Sequence, residues 1–123
     1  MNYEKFCMDV IAIDRSIRYA SVYNKIGDLV GGGMRKDKVS LLSPEQDKMS
    51  IYYSKHMYEA RKNLSHIIGK EKYSITEYEK VKMINVPLKD DNLLLISIEP
   101  IGDHFKIMDY ILKMVESHSK QNY

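Results

Sequence analysis

The sequence contains no tryptophan, one cysteine, three prolines and six glycines in 123 residues. A lone cysteine, Cys7, excludes an intramolecular disulfide and any Cys-x-x-Cys redox or zinc site. No run of 18 apolar residues occurs, so no membrane-spanning helix is expected. The opening Met1-Asn2-Tyr3-Glu4-Lys5 lacks the basic region and apolar core of a secretory signal. With a single cysteine, this makes a cytoplasmic location the expectation. Charge of one sign is also missing. Nineteen Lys and Arg face 17 Asp and Glu, a net charge of +2, too even for the basic face of a nucleic-acid binder.

The residues present describe a folded domain. Hydrophobic residues make up 44% and charged residues 29%, the balance of a globular chain and not of a disordered one. The length suits one domain, expected over residues 1–118 with a frayed polar tail at 119–123.

Tyr3, Phe6, Cys7, Val10 and Ile13 recur at helical spacing and predict an amphipathic first helix with Cys7 on its buried stripe. Ile17 to Tyr23 reads as a strand, Asn24 to Gly27 as a turn, and Asp28-Leu29-Val30 as a second strand running into Gly31-Gly32-Gly33. The glycines lack the Gly-Lys-Ser/Thr ending of a phosphate loop, because Met34-Arg35-Lys36-Asp37 follows. They read instead as a bend or a close approach of another backbone.

Ser43-Pro44-Glu45-Gln46 combines an N-cap, an N1 proline and a capping box. It predicts a helix of about 25 residues, Pro44 to Ile68, stopped by Gly69. Its apolar face is Met49, Tyr53, His56, Met57, Ala60, Leu64 and Ile67, widened by Tyr52, Tyr58 and Ile68. Such a helix either packs this broad surface on its own sheet, or buries one face there and offers another to a partner. Strands follow at Lys72–Tyr78, Val81–Leu88 and Leu93–Ile98. The last is almost wholly apolar, as a central strand covered on both faces would be. Asp103 caps a closing helix whose stripe is read as Phe105, Met108, Leu112 and Val115, with Ile111 beside it. The order is α-β-β-α-β-β-β-α. It predicts an α+β fold, a single five-stranded antiparallel sheet with helices on both faces.

Catalytic constellations are missing. His56, His66, His104 and His118 have no zinc-ligand spacing, and no Gly-x-Ser-x-Gly elbow occurs. No catalytic, metal or cofactor residue is assigned, and a non-enzyme is expected.

The element order resembles the roadblock (dynein light chain) family within the longin and profilin-like fold group. The likeness rests on the helix leading into the Ile17–Val30 hairpin, the Pro44–Ile68 helix, and Val86-Pro87-Leu88 followed by a polar turn, Leu93–Ile98 and a closing helix. It implies a non-catalytic interaction module that forms homodimers and scaffolds or regulates small Ras-like GTPases. The matching interface positions are Tyr52, Tyr53, His56, Met57 and Ala60 on the middle helix, and Tyr73, Ile75 and Glu77 on the third strand. A second reading is a small-ligand sensor of the PAS or GAF kind, with a pocket rimmed by Arg18, Tyr19 and Tyr23 between sheet and helix.

Overall fold

A computed structural model of the chain describes residues 2–121. The apolar run Leu93–Ile98 forms β5, the middle strand of one five-stranded sheet. On its two sides lie β1 (Ile17–Tyr23) and β4 (Lys82–Pro87), with β2 (Leu29–Met34) and β3 (Ser74–Glu77) at the edges. Every pairing is antiparallel, in the spatial order β2-β1-β5-β4-β3. The helices are α1 (Tyr3–Ile11), α2 (Pro44–Lys62), the single turn α3 (Ser65–Ile68) and α4 (His104–Gln121). The expected order therefore holds, with α3 added. Of the tail expected at 119–123, residues to Gln121 stand in α4, and Asn122 and Tyr123 lie outside the described residues.

The two faces of the sheet are unequal. On one, Leu94, Ile96 and Ile98 of β5 pack with Phe6, Cys7 and Val10 of α1 and Ile107, Met108 and Ile111 of α4, all buried. Full burial of each such Leu or Ile is worth roughly 1.5–3 kcal/mol. On the other face the buried set is Tyr23, Leu93 and Leu95, with Tyr19, Ile51 and Tyr58 only partly covered. The terminal helices thus share the richer core and α2 covers the leaner one.

The first helix starts where Asn2 accepts the Lys5 amide at 3.0 Å, and α4 where Asp103 accepts that of Lys106 at 3.2 Å. Phe105, expected on the buried stripe of α4, is 74% exposed. The buried arc is centred on Ile107, Met108 and Ile111, and at 3.6 residues per turn Phe105 lies roughly 100° away from it.

The glycines belong to β2 and admit close neighbours. A Cβ on Gly31 would come within 2.8 Å of the Tyr3 and Glu4 backbone. Gly32 has φ +100°, and a Cβ there would sit 2.1 Å from the Ala20 carbonyl oxygen. The Gly32 amide also donates to the Glu4 carboxylate at 2.9 Å, tying β2 to α1.

The middle helix is shorter than its sequence pattern predicts. Its start is as expected: Ser43 Oγ accepts from the Gln46 amide at 3.2 Å, and Gln46 Oε1 from the Ser43 amide at 3.0 Å. Its end is not, because α2 stops at Lys62 and the chain resumes as α3. Ser65 Oγ donates to the Lys62 carbonyl at 2.8 Å, and the Leu64 amide bonds Arg61 in a tighter turn. Side-chain competition of this kind is why Asn and Ser interrupt helices. Gly69, at φ +93°, then ends α3.

Polar clamps add to the packing of Ile51 and Tyr58 in holding α2 to the sheet. Asp91 accepts from Tyr58 Oη at 3.0 Å and Lys62 Nζ at 2.9 Å, joining the end of α2 to the turn before β5. Lys55 Nζ donates to the Lys25 carbonyl in the β1–β2 turn.

Two measurements follow from this packing. Gly32→Ala forces a side chain into a left-handed backbone and onto Ala20, and should cost at least about 2 kcal/mol in urea unfolding. Gly33→Ala, where a Cβ meets nothing within 4 Å, should cost under about 1 kcal/mol. The bonds from Lys62 and Tyr58 hold the Asp91 carboxyl below the usual carboxylate range. A depressed folded-state value stabilises the fold above the unfolded value, about 3.9, and that stability is lost as pH falls through the folded value. Asp91→Asn tolerates the native φ of 60°. It should be less stable than wild type at pH 6, with the gap closing below about pH 4 in urea titrations.

Candidate interaction surface

The α2 helix turns a mixed polar and apolar face inward. Asp47, Ser50, Ile51, Ser54 and Tyr58, at helical spacing, are half-buried toward the sheet, and no α2 residue is fully buried. The residues that make its most apolar face point away. Met49, Tyr52, Tyr53, His56, Met57 and Ala60 are all exposed, Tyr52 by 64% and Tyr53 by 56%. Tyr52 stacks on His56 with ring centroids 6.0 Å apart and meets Tyr53 edge-on at 5.8 Å. The five helix residues singled out from the sequence therefore share one solvent-facing side of α2.

The third strand is an edge, paired among the described residues with β4 alone. It is shorter than expected because Ser74 pairs with Asn85, so extension would set Lys72 opposite Pro87, which has no amide hydrogen to donate. Tyr73 thus precedes the strand and is half-exposed. Ile75 turns to the α1–α4 side and packs against that core. Glu77 is exposed and lies 3.7 Å from Lys82 Nζ. What β3 offers a partner is its free main-chain edge, with Ser74 and Thr76 on the α2 side.

Between α2 and the β3–β4 edge runs an open groove of about 960 Å³. Met49, Tyr53 and Met57 form one wall, Ser74, Thr76 and Met83 the other, and Leu42 and Arg61 also line it. Of the helix wall, Met49, Tyr53 and Met57 stand in the apolar face that the sequence marks out. Thr76, Arg61 and Leu42 carry no periodic signal that would mark them in the sequence.

A smaller cavity of about 180 Å³ lies beneath α2. Arg18, Tyr19 and Tyr23, the trio expected around a pocket, all line it. Arg18 is already committed, donating to Glu99 and to the Val39 carbonyl, each at 2.8 Å. Its guanidinium, with Lys38, holds the Glu99 carboxyl below the usual range. The Tyr19 and Tyr23 hydroxyls bond each other at 2.6 Å. Burial, then this bond, pushes the Tyr23 phenol upward.

Elsewhere, burial and the nearby Glu4 push the Cys7 thiol up to about 12, so it stays protonated and inert. Lys82 is buried and donates to the Gly102 carbonyl at 2.9 Å, with His104 Nδ1 at 3.1 Å. Among the described residues no group of three or more His, Cys, Asp or Glu could hold a metal ion. No helix among them is long and apolar enough to cross a membrane.

Comparison with solved structures places this arrangement in a known fold. A Roadblock/LC7 domain from Streptomyces avermitilis superposes with a TM-score of 0.73 at 9% identity, covering 98% of each chain. Myxococcus xanthus MglB gives 0.74 at 12% identity over 97% of this chain and 86% of that one. Myxococcus xanthus MglC gives 0.61 at 17% identity over the whole of both. At such identities the likeness is one of fold, and the chain has the roadblock α+β fold. No curated protein matches its sequence. A family model does, over residues 1–121, and by that match the chain belongs to the family of unknown function DUF6659.

Proposed function

We propose that this chain is a non-catalytic protein-interaction module that self-associates through the outer face of α2 and the free edge of β3. The observation that carries the reading is the outward apolar cluster of α2. Tyr52, Tyr53 and Met57 face solvent beside an edge strand, while Ser50, Ile51, Ser54 and Tyr58 face the sheet. Exposed Tyr and Met clusters supply the residue types enriched at interface centres. An edge strand next to them adds main-chain bonds with no further folding. A second copy, related by a two-fold axis, would lay its own α2 against these residues. Tyr52, Tyr53, His56, Met57 and Ala60 are the proposed helix contacts. The backbone at Ile75 and Glu77, with Tyr73 at the strand entrance, is the proposed strand contact. The fold shared with MglB and MglC supports this, and one MglB structure is described as a tetrameric arrangement. The partner class that the roadblock likeness suggests is a small cytoplasmic Ras-like GTPase, docking on the composite surface of the pair.

Light scattering after size exclusion, from about 1 to 100 µM, tests the self-association. A dimer is expected, with an interface of at least about 1,000 Å². Tyr53→Glu and Met57→Glu should each weaken it at least tenfold while shifting Tm by only a few degrees, because both side chains are about half exposed in one chain. A monomer at every concentration, or a dimer indifferent to both changes, would contradict the reading.

A further inference from the structure

We infer that the cavity beneath α2 is a binding site for a small aromatic alcohol or amine. The space measures about 180 Å³, opens past the exposed Ser40 and Leu41, and shares Leu42, Ser50, Ser54 and Met83 with the outer groove. A volume on the order of 150 Å³ accepts a ring the size of benzene. The opening has a cause in the sequence. Where a covering helix ordinarily sets Leu or Val against its sheet, α2 sets Ser50 and Ser54, and β4 answers with Asn85. The space those small side chains leave is walled by Met34, Met83, Ile51 and Leu95, which suit a ring of six carbons.

The polar groups define what that ring should carry. Of the two protons in the Tyr19–Tyr23 pair, one is used between the hydroxyls, which leaves one to donate and lone pairs to accept. Asp47 also lines the cavity and accepts from Ser40 Oγ at 3.1 and 3.2 Å, which leaves lone pairs on both oxygens. Ser50 donates to the Met83 thioether at 3.9 Å, a weak acceptor that a ligand oxygen would better. The cationic group at the wall, Arg18, is occupied by Glu99 and Val39. Arg18 and Lys38 share the Glu99 carboxylate, and the lone pairs of Asp47 favour a hydroxyl or an ammonium over an anion. The site is built by one chain. Tyr19, Tyr23 and Met34 lie beneath α2, and the assignment does not rest on self-association.

Methionine methyl NMR reads this directly, because Met34 lines the cavity and not the outer groove, whereas Met83 lies between the two. Exposed Met8 and buried Met108 serve as references elsewhere in the fold. Benzyl alcohol and benzylamine, added to the full chain, should shift the Met34 and Met83 methyls saturably, with Kd near or below about 1 mM as befits eight non-hydrogen atoms. Met8 and Met108 should stay in place, and benzoate should bind at least tenfold more weakly. Ser54→Leu, which fills the space from α2, should weaken benzyl alcohol at least tenfold. Shifts that fail to saturate by 20 mM, equal shifts at Met8, earlier shifts at Met49 and Met57 in the outer groove, or benzoate binding as well as benzylamine would each overturn the assignment. The wild-type titration decides the matter even if Ser54→Leu does not fold.

Discussion

Six residues, Leu93 to Ile98, set the terms for everything around them. As the middle strand, β5 is hydrogen-bonded along both sides, to β1 and to β4, so its own backbone is satisfied without solvent. Its side chains alternate between two unequal layers. Leu94, Ile96 and Ile98 enter the core shared with α1 and α4, while Leu93 and Leu95 meet the sparser layer under α2. Stability is therefore concentrated on one face. The other needs only a light cover, and α2 supplies it with serines and polar clamps. The same asymmetry frees the apolar side of α2 for other work and leaves a cavity beneath it.

Much of this was legible in the sequence. The helical spacing of Tyr3–Val10 locates α1 because it buries one continuous face, and the apolar runs Ile17–Tyr23 and Leu93–Ile98 locate β1 and β5 because both faces of the sheet are covered there. The capping box at Ser43 fixes where α2 begins for a local reason that tertiary structure does not override. Its end was less legible, since Asn63-Leu64-Ser65 interrupts the helix while apolar spacing runs on through Leu64 and Ile67. Phe105 misled for a related reason. A large aromatic at the right interval from Met108 reads as core, yet the buried arc lies on the next side of the helix.

The candidate surface divides in the same way. Tyr52, Tyr53, His56, Met57 and Ala60 stand out in the sequence as one broad apolar face, but periodicity alone does not tell whether such a face meets its own sheet or a second molecule. Geometry resolves its direction in one chain: outward. On β3 the register decides. Pairing of Ile75 with Ile84 turns Ile75 into the core, so the strand's offer to a partner is backbone and not the alternating side chains. The cavity was half legible. Arg18, Tyr19 and Tyr23 do line it, but its far wall depends on which side of α2 faces inward.

The central claim is that the outward face of α2 and the β3 edge form one self-association surface. Hydrogen–deuterium exchange at about 1 and 100 µM examines both halves together. Amides of Ser74–Glu77 and the peptides spanning Tyr52–Ala60 should gain protection at the higher concentration, because edge amides exchange freely until a second strand pairs with them. The opposite edge, Leu29–Met34, should not change. Protection that appears at β2 instead, or is independent of concentration across β3 and α2, would contradict it.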